Sequence, residues 1–336
     1  MRGNQFGKLF SFTTFGESHG EALGVVIDGV PGGLVFEYSE LQRQLDRRAP
    51  GQSPGTTSRK EADTAEVLSG IFESKTTGAP IAVIVRNTNQ RSQDYKKMKE
   101  EYRPGHADRT YELKYGCRDH RGGGRSSGRE TLSRVIAGYF ASLIIPQINV
   151  LAYTSKMGPF EWDKKRSLPA SLSFDPYGFP DSSKNEEIKK YLLALKATGD
   201  SVGGRIAIII DDVPEGLGEP CFDKLKADFA KALLSIGACV SFSYGLGEGM
   251  AELPGSVVSN RPSYFGGIEG GISNGSQITM EITFKPTSTV GEKAKHGRHD
   301  PCIVPRAIPV VEAMVKSVLA DHYLRQNAYQ IQGKYE

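Results

Sequence analysis

The sequence predicts one large α/β (α+β) domain built from two pseudo-symmetric halves, at about residues 6–150 and 200–326. Three internal echoes predict it. Val25-Val-Ile-Asp-Gly-Val-Pro-Gly-Gly-Leu34 is an apolar strand ending in a turn, and Ile208-Ile-Ile-Asp-Asp-Val-Pro-Glu-Gly-Leu217 repeats it almost letter for letter. Gly78-Ala-Pro-Ile-Ala-Val-Ile-Val85 and Gly275-Ser-Gln-Ile-Thr-Met-Glu-Ile282 are each a turn followed by a strand. Arg103 to Asp108 and then Arg125 precede an apolar helix near 130–145, and Arg298 to Pro301 precede another near 309–324. With such a duplication, motifs from both ends of the chain can meet at one pseudo-twofold interface.

Taken in order, the first strand leads into a helical pattern through Leu41 and Leu45 that ends in the basic run Asp46-Arg47-Arg48-Ala49-Pro50. Ser127-Gly-Arg-Glu130 has the form of a capping box and predicts a helix start at Ser127. Leu132, Val135, Ile136, Tyr139, Phe140 and Leu143 then form its apolar stripe. The polar, Pro/Ser-rich stretch 158–185 reads as the break between halves. After the second strand, Leu225, Phe229, Ala232 and Leu233 recur at helical spacing.

With 336 residues, 38% hydrophobic and 24% charged, the chain is an ordinary globular sequence able to bury a substantial core. A net charge of +3 is too small for a surface that coats nucleic acid. The scattered Cys117, Cys221, Cys239 and Cys302 predict reduced thiols, serving as core filler in a cytoplasmic protein. No H-x-x-x-H pair argues for a metal site, and neither a signal pattern nor a membrane-length apolar run is present.

The unusual chemistry lies in four glycine-punctuated runs: Gly16-Glu-Ser-His-Gly20, Arg103-Pro-Gly-His-Ala-Asp108, 121–130, and Gly297-Arg-His-Asp-Pro301. Gly122 to Gly124 can turn backbone N–H groups toward one point beside a helix N-terminus, with Arg125 and Arg129 as forked donors to phosphate. His106 and His19 are candidate proton donors. Asp300 beside Arg298 reads either as a proton acceptor or as a helix cap, and Lys285-Pro-Thr-Ser-Thr289 offers an ammonium and hydroxyls. No aromatic residues interleave the arginines for base stacking. The set points to a pocket for a small phosphorylated molecule.

Together these runs, with Asp28-Gly-Val-Pro31, Arg125-Ser-Ser-Gly-Arg-Glu-Thr131, Phe6-Gly-Lys-Leu-Phe10, Asn89-Gln-Arg-Ser-Gln-Asp-Tyr95, Gly199-Asp-Ser-Val-Gly203 and Val213-Pro-Glu-Gly-Leu-Gly218, resemble the chorismate synthase family. The resemblance covers essentially the whole chain. It implies a β-α-β sandwich, a homotetramer, and reduced FMN as cofactor, with NADPH entering only indirectly. It also implies a 1,4-anti elimination of phosphate and a ring proton from 5-enolpyruvylshikimate 3-phosphate. By the same resemblance His106 protonates the departing phosphate, His19 stabilises the flavin's protonation state, and Asp300 assists proton removal through a flavin ring nitrogen. Arg48, Arg103, Arg129 and Arg134 hold substrate, Arg48 also matching an NADPH position. Arg125, Ser126, Ser127, Gly237, Ala238, Gly270, Lys285, Pro286, Thr287, Ser288, Thr289 and Arg298 match positions around FMN.

Departures from the family are Pro54 where a basic residue is common, Gly237 where Asn or Pro is usual, Val240 for Lys, and shortened loops at 240–267 and 289–298. Two rival readings are an NADPH-dependent flavin reductase, alone or combined with the lyase activity, which lacks support because no strand-linked G-x-G-x-x-G appears, and a flavin-binding homologue with impaired catalysis.

Overall fold

The computed structural model describes residues 3–55, 63–87, 102–120, 122–169, 172, 175–295 and 300–329. From the N-terminus come β1 (Gln5–Gly7), β2 (Ser11–Gly16), β3 (Ala22–Asp28), α1 (Tyr38–Arg48), β4 (Ala65–Val67), β5 (Ile71–Phe72), β6 (Lys75–Thr76) and β7 (Ile81–Arg86). Next are α2 (Asp108–Tyr115), α3 (Thr131–Ile144), β8 (Asn149–Met157), β9 (Phe160–Glu161), α4 (Asn185–Thr198), β10 (Gly204–Asp211), α5 (Leu225–Leu234) and β11 (Cys239–Tyr244). The last are α6 (Gly255–Ser259), β12 (Ile268–Glu269), β13 (Ile272–Ser273), β14 (Ile278–Phe284), α7 (Glu292–Lys295) and α8 (Val304–Tyr329).

Two antiparallel five-stranded sheets, ordered β1-β2-β3-β7-β4 and β11-β14-β10-β8-β9, enclose helices between them. Alternation sets which face turns inward: Leu23, Val25 and Ile27 on β3, and Ile206, Ile208 and Ile210 on β10, are fully buried. Helix α3 lies on β3, α8 lies on β8 and β10, and the two helices pack on each other. This is a β-α-β sandwich. Strands β2-β3-β7-β4 run in the same spatial order as β8-β10-β14-β11, and each set is interrupted by a two-stranded hairpin, β5–β6 or β12–β13.

Close approach of α3 and α8 depends on Gly138. A Cβ built there would lie 2.3 Å from Ala313 Cβ and 2.4 Å from its Cα. Since both helices are held by sheets behind them, neither can retreat freely. Gly138→Ala is expected to destabilise the fold by about 1–3 kcal/mol through overpacking, read as a lower urea midpoint at unchanged slope. An unchanged midpoint would show that the helices can separate.

Four expectations need correction. The break expected at 158–185 falls inside the second sheet, because β8 precedes it and pairs with β10 beyond it. Ser127 does cap, accepting from the Arg129 N–H, but the first turn is a 3-10 segment at Gly128–Glu130 and α3 begins at Thr131. Glu130 is drawn instead to Arg134 at 2.9 Å and to the Thr14 hydroxyl at 3.2 Å. Helix α8 starts at Val304, well before Pro309, because burial of Val304, Ala307 and Ile308 between layers outweighs one backbone bond lost to proline. Finally, Cys302 is core and Cys239 packs half-buried against that core, but Cys117 and Cys221 are exposed in loops.

Among the described residues, no helix is long and apolar enough to cross a membrane.

Candidate active site

The helical layer opens on one side into a cleft of about 620 Å³, a volume suited to a small ligand or cofactor. Its walls come from both halves: β1 and β2, the 125–131 turn, the end of α5, and the first turns of α8. Arg48, Arg125, Ser126, Ser127, Arg134 and Gly237 of the expected residues line it. So do Lys231, Tyr111 and Arg306, which sequence reasoning missed, and apolar Phe12, Ile303, Val310 and Met314.

Each cation is positioned by a specific partner. Arg48 is 2% exposed and pairs with the fully buried Asp63, whose other oxygen accepts from Arg129 at 2.8 Å. Burial lowers the Arg48 pKa from its ordinary value while Asp63 opposes that shift. The Arg48 Nε is buried with no hydrogen-bond partner among the described residues. Arg129 Nε also donates to Asn87 at 2.6 Å. Arg125 donates to the Gly16 carbonyl at 3.2 Å and to Thr14, tying the turn to β2. Arg134 bridges Glu130 and, through the Ser235 hydroxyl at 2.6 Å, the end of α5. Arg306 pairs with Asp300 and donates to the Arg48 carbonyl at 3.4 Å, joining the halves.

His106 stands beside this cleft, whose wall includes the next residue Ala107 and Tyr111. Its Nδ1 is 2.9 Å from Asp108 Oδ1 and 3.1 Å from Arg103 Nη2. Arg103 grips the Asp108 carboxylate with two side-chain bonds, at 2.8 and 2.7 Å, and one backbone bond at 3.0 Å. Burial, and then the Arg103 charge, push the His106 pKa below the ordinary histidine value against the pull of Asp108. For Asp108 burial acts upward, but the bonds and charge of Arg103 and the His106 charge outweigh it and hold the carboxyl well below the usual carboxylate range. The loop is fastened from the second half: Lys285 Nζ at 2.7 Å and Ser288 Oγ at 3.0 Å both donate to the Gly105 carbonyl.

His19 packs on the glycine run, where a Cβ at Gly122 would lie 2.1 Å from its Nδ1. Only glycine admits that approach. Ser18 Oγ is 3.0 Å from the same nitrogen. Ala238, in the left-handed region at φ 68°, accepts the Lys285 N–H at 2.9 Å. In the loop that follows, Pro286 packs against Gly203, the Thr287 hydroxyl donates to the Asp300 carbonyl at 3.2 Å, and Thr289 comes next. A Cβ at Gly237 would meet open space. Gly270 does not line the cleft; it sits in the β12–β13 turn. Arg298 lies outside the described residues.

The missed residues carried weak sequence signals. Arg306 follows the 297–301 run within one turn of the α8 start, which could have marked it. Lys231 is one of two lysines on α5 and stands in no motif, and neither does Asp63.

The fold and cleft define a class: an α/β enzyme whose cationic, half-apolar cleft is built jointly by two sheet-and-helix halves. A family model described as chorismate synthase matches residues 10–324. The chain is 48% identical to a chorismate synthase of Flavobacterium psychrophilum, over 98% of this chain and 99% of that protein. It is also 48% identical to one of Bdellovibrio bacteriovorus, over 96% and 98%. A crystal structure of chorismate synthase superposes with a TM-score of 0.75 at 28% identity, covering 96% of this chain and 93% of that one. The chain belongs to the chorismate synthase family. It is a lyase of the shikimate pathway, forming chorismate from 5-enolpyruvylshikimate 3-phosphate by 1,4-anti elimination.

Proposed function

We propose that this elimination runs with reduced FMN held in the cleft and the phosphorylated substrate beside it. The observation that carries the reading is the pairing of Arg48, Arg125, Arg134, Lys231 and Arg306 with an apolar wall in one cleft, next to the His106 loop. A flavin mononucleotide fits such a donor set: Ile303, Val310 and Met314 suit a ring, while Arg125, Ser126 and Ser127 suit polar groups and phosphate. The buried Arg48 Nε, which has no hydrogen-bond partner among the described residues, likewise favours a polar ligand. When bound, reduced FMN supplies the electron-rich chemistry that eases cleavage of the allylic C–O bond.

The residues' task is then to hold the polyanion and manage protons. Arg129 and Arg134, fixed by Asp63 and Glu130, present guanidinium groups without the entropy cost of free side chains. Arg103 orients the His106 loop and is assigned to the same anion. Arg48 belongs to the wall of the cleft, since its commitment to Asp63 leaves it 2% exposed. His106 protonates the leaving phosphate: its N–H bond breaks, the proton joins a phosphate oxygen, and the C–O bonding pair departs with that phosphate. Asp300, tied to Arg306, supplies a carboxylate for the ring-proton side. His19 keeps the cofactor in its working protonation state. NADPH serves only indirectly, as a source of reducing equivalents. Four free cysteines accord with a cytoplasmic location, and Phe15 and Val26, exposed at 42% and 39%, accord with a homotetramer that covers outer sheet faces.

Anaerobic phosphate release from 5-enolpyruvylshikimate 3-phosphate tests the reading. Many products per reduced FMN, and none with oxidised FMN, are expected. One flavin oxidised per product would reject it.

A further inference from the structure

We propose that Asp108 is the positioning residue of the reaction: it accepts the Nδ1–H of His106 and so fixes Nε2 as the nitrogen that faces the leaving phosphate. The inference rests on the assignment of His106 as proton donor to that phosphate.

Three observations carry it. His106 Nδ1 and Asp108 Oδ1 are 2.9 Å apart. Two acceptors at that separation, one of them a carboxylate, would repel, so a proton lies between them. The guanidinium Nη2 of Arg103 is farther from Nδ1, at 3.1 Å, and its short bond is to Asp108 Oδ1 at 2.7 Å. One Nη2 hydrogen is thus taken by the carboxylate, and of the two contacts at Nδ1 the one to Asp108 is the shorter. Second, Asp108 cannot turn away. Its side chain is 5% exposed and is held by three bonds from Arg103, with Arg118 a further cation at 4.0 Å. Third, the loop carrying the imidazole is fastened at Gly105 by Lys285 and Ser288, so ring and carboxylate keep their register.

The charged groups facing His106 are Arg103, Asp108 and Lys285. The two cations oppose a proton on the ring, and Asp108 is the one anion among them that favours it. After the Nε2 proton leaves for phosphate, the neutral ring retains its Nδ1–H on Asp108, which is the tautomer ready for reprotonation at Nε2.

Asp108→Asn is the informative variant. A carboxylate serves His106 and all three Arg103 donors, whereas an amide has one acceptor oxygen, and its NH2 must face either Arg103 or His106. Arg103 claims the oxygen, so Nδ1 becomes an acceptor and the proton moves to Nε2. Full-length protein labelled with 15N-histidine, with His106→Gln to assign the signal, reads the tautomer directly. Wild type is expected to show Nδ1–H with a bare Nε2 above its titration, and Asp108→Asn to show Nε2–H. Phosphate release should fall at least about tenfold through kcat with KM little changed, and Asp108→Glu should recover part of it. An Nε2–H tautomer in wild type overturns the proposal, and needs no variant to fold. So does Asp108→Asn with unchanged tautomer and turnover. If the tautomers behave as expected but His106→Gln turns over normally, the His106–Asp108 pair stands and the assignment of His106 as phosphate acid fails instead.

Discussion

His106→Ala is expected to lower phosphate release at saturating substrate by at least about tenfold, toward the roughly 10²–10⁴-fold typical of a positioned acid. The loss should lie in kcat, because a proton delivered only as the C–O bond breaks is an interaction of the transition state. Folding should survive, since the side chain is half-buried in a loop. A pH signature goes with it. The native His106 pKa lies below the unfolded value, through burial and Arg103, so the folded chain binds its proton less well than the unfolded chain. Stability linked to this group is therefore unchanged well above about pH 6.5 and is lost as pH falls through the window below it. His106→Ala removes that loss, so its urea midpoint should decline less than wild type between neutral and mildly acidic pH. Near-normal turnover in the variant would make His106 a structural residue of its turn.

The second large effect is expected from Asp63→Ala. The change leaves Arg48, 2% exposed, without the only carboxylate it pairs with among the described residues, and takes an anion from Arg129 as well. Breaking one side of a buried pair costs about 3–5 kcal/mol, a large fraction of the 5–15 kcal/mol that holds a typical domain folded. The double variant Arg48→Met/Asp63→Leu removes both charges and should regain much of the midpoint, while phosphate release stays low because a cleft cation is gone. Equal stability in wild type and Asp63→Ala would mean that water reaches Arg48 and screens it. Recovery of stability together with activity would remove Arg48 from the site.

The parts of the cleft and of the His106 loop beside it that were legible are those whose residues are local in the chain. Arg125, Ser126 and Ser127 are adjacent, and the loop of Arg103, His106 and Asp108 spans a single turn, so glycine spacing and residue type sufficed to single them out. Asp63 and Arg306 were not legible in this way. Asp63 draws its meaning from Arg48 and Arg129, 15 and 66 residues away, and no spacing rule reaches across such gaps. Arg306 is set by a helix start that the proline pattern placed too late, because the burial that carries α8 back to Val304 comes from the opposite layers. The same limit hid the true position of β8, whose partner β10 lies beyond the polar stretch taken for a boundary.

By itself the sequence determined the alternating strands, the apolar helices, the turns that need glycine and the family to which the chain belongs. Strand alternation and helical spacing are properties of a few neighbouring residues, and those are written in order along the chain. The tertiary structure alone decided that Lys285 and Ser288 fasten the His106 loop and that Arg306 closes on Asp300 and the Arg48 carbonyl. It also decided that Gly138 marks the crossing of α3 and α8. These depend on distances between residues far apart in sequence, which exist only once hydrophobic burial has brought the two sheets around a shared helical layer.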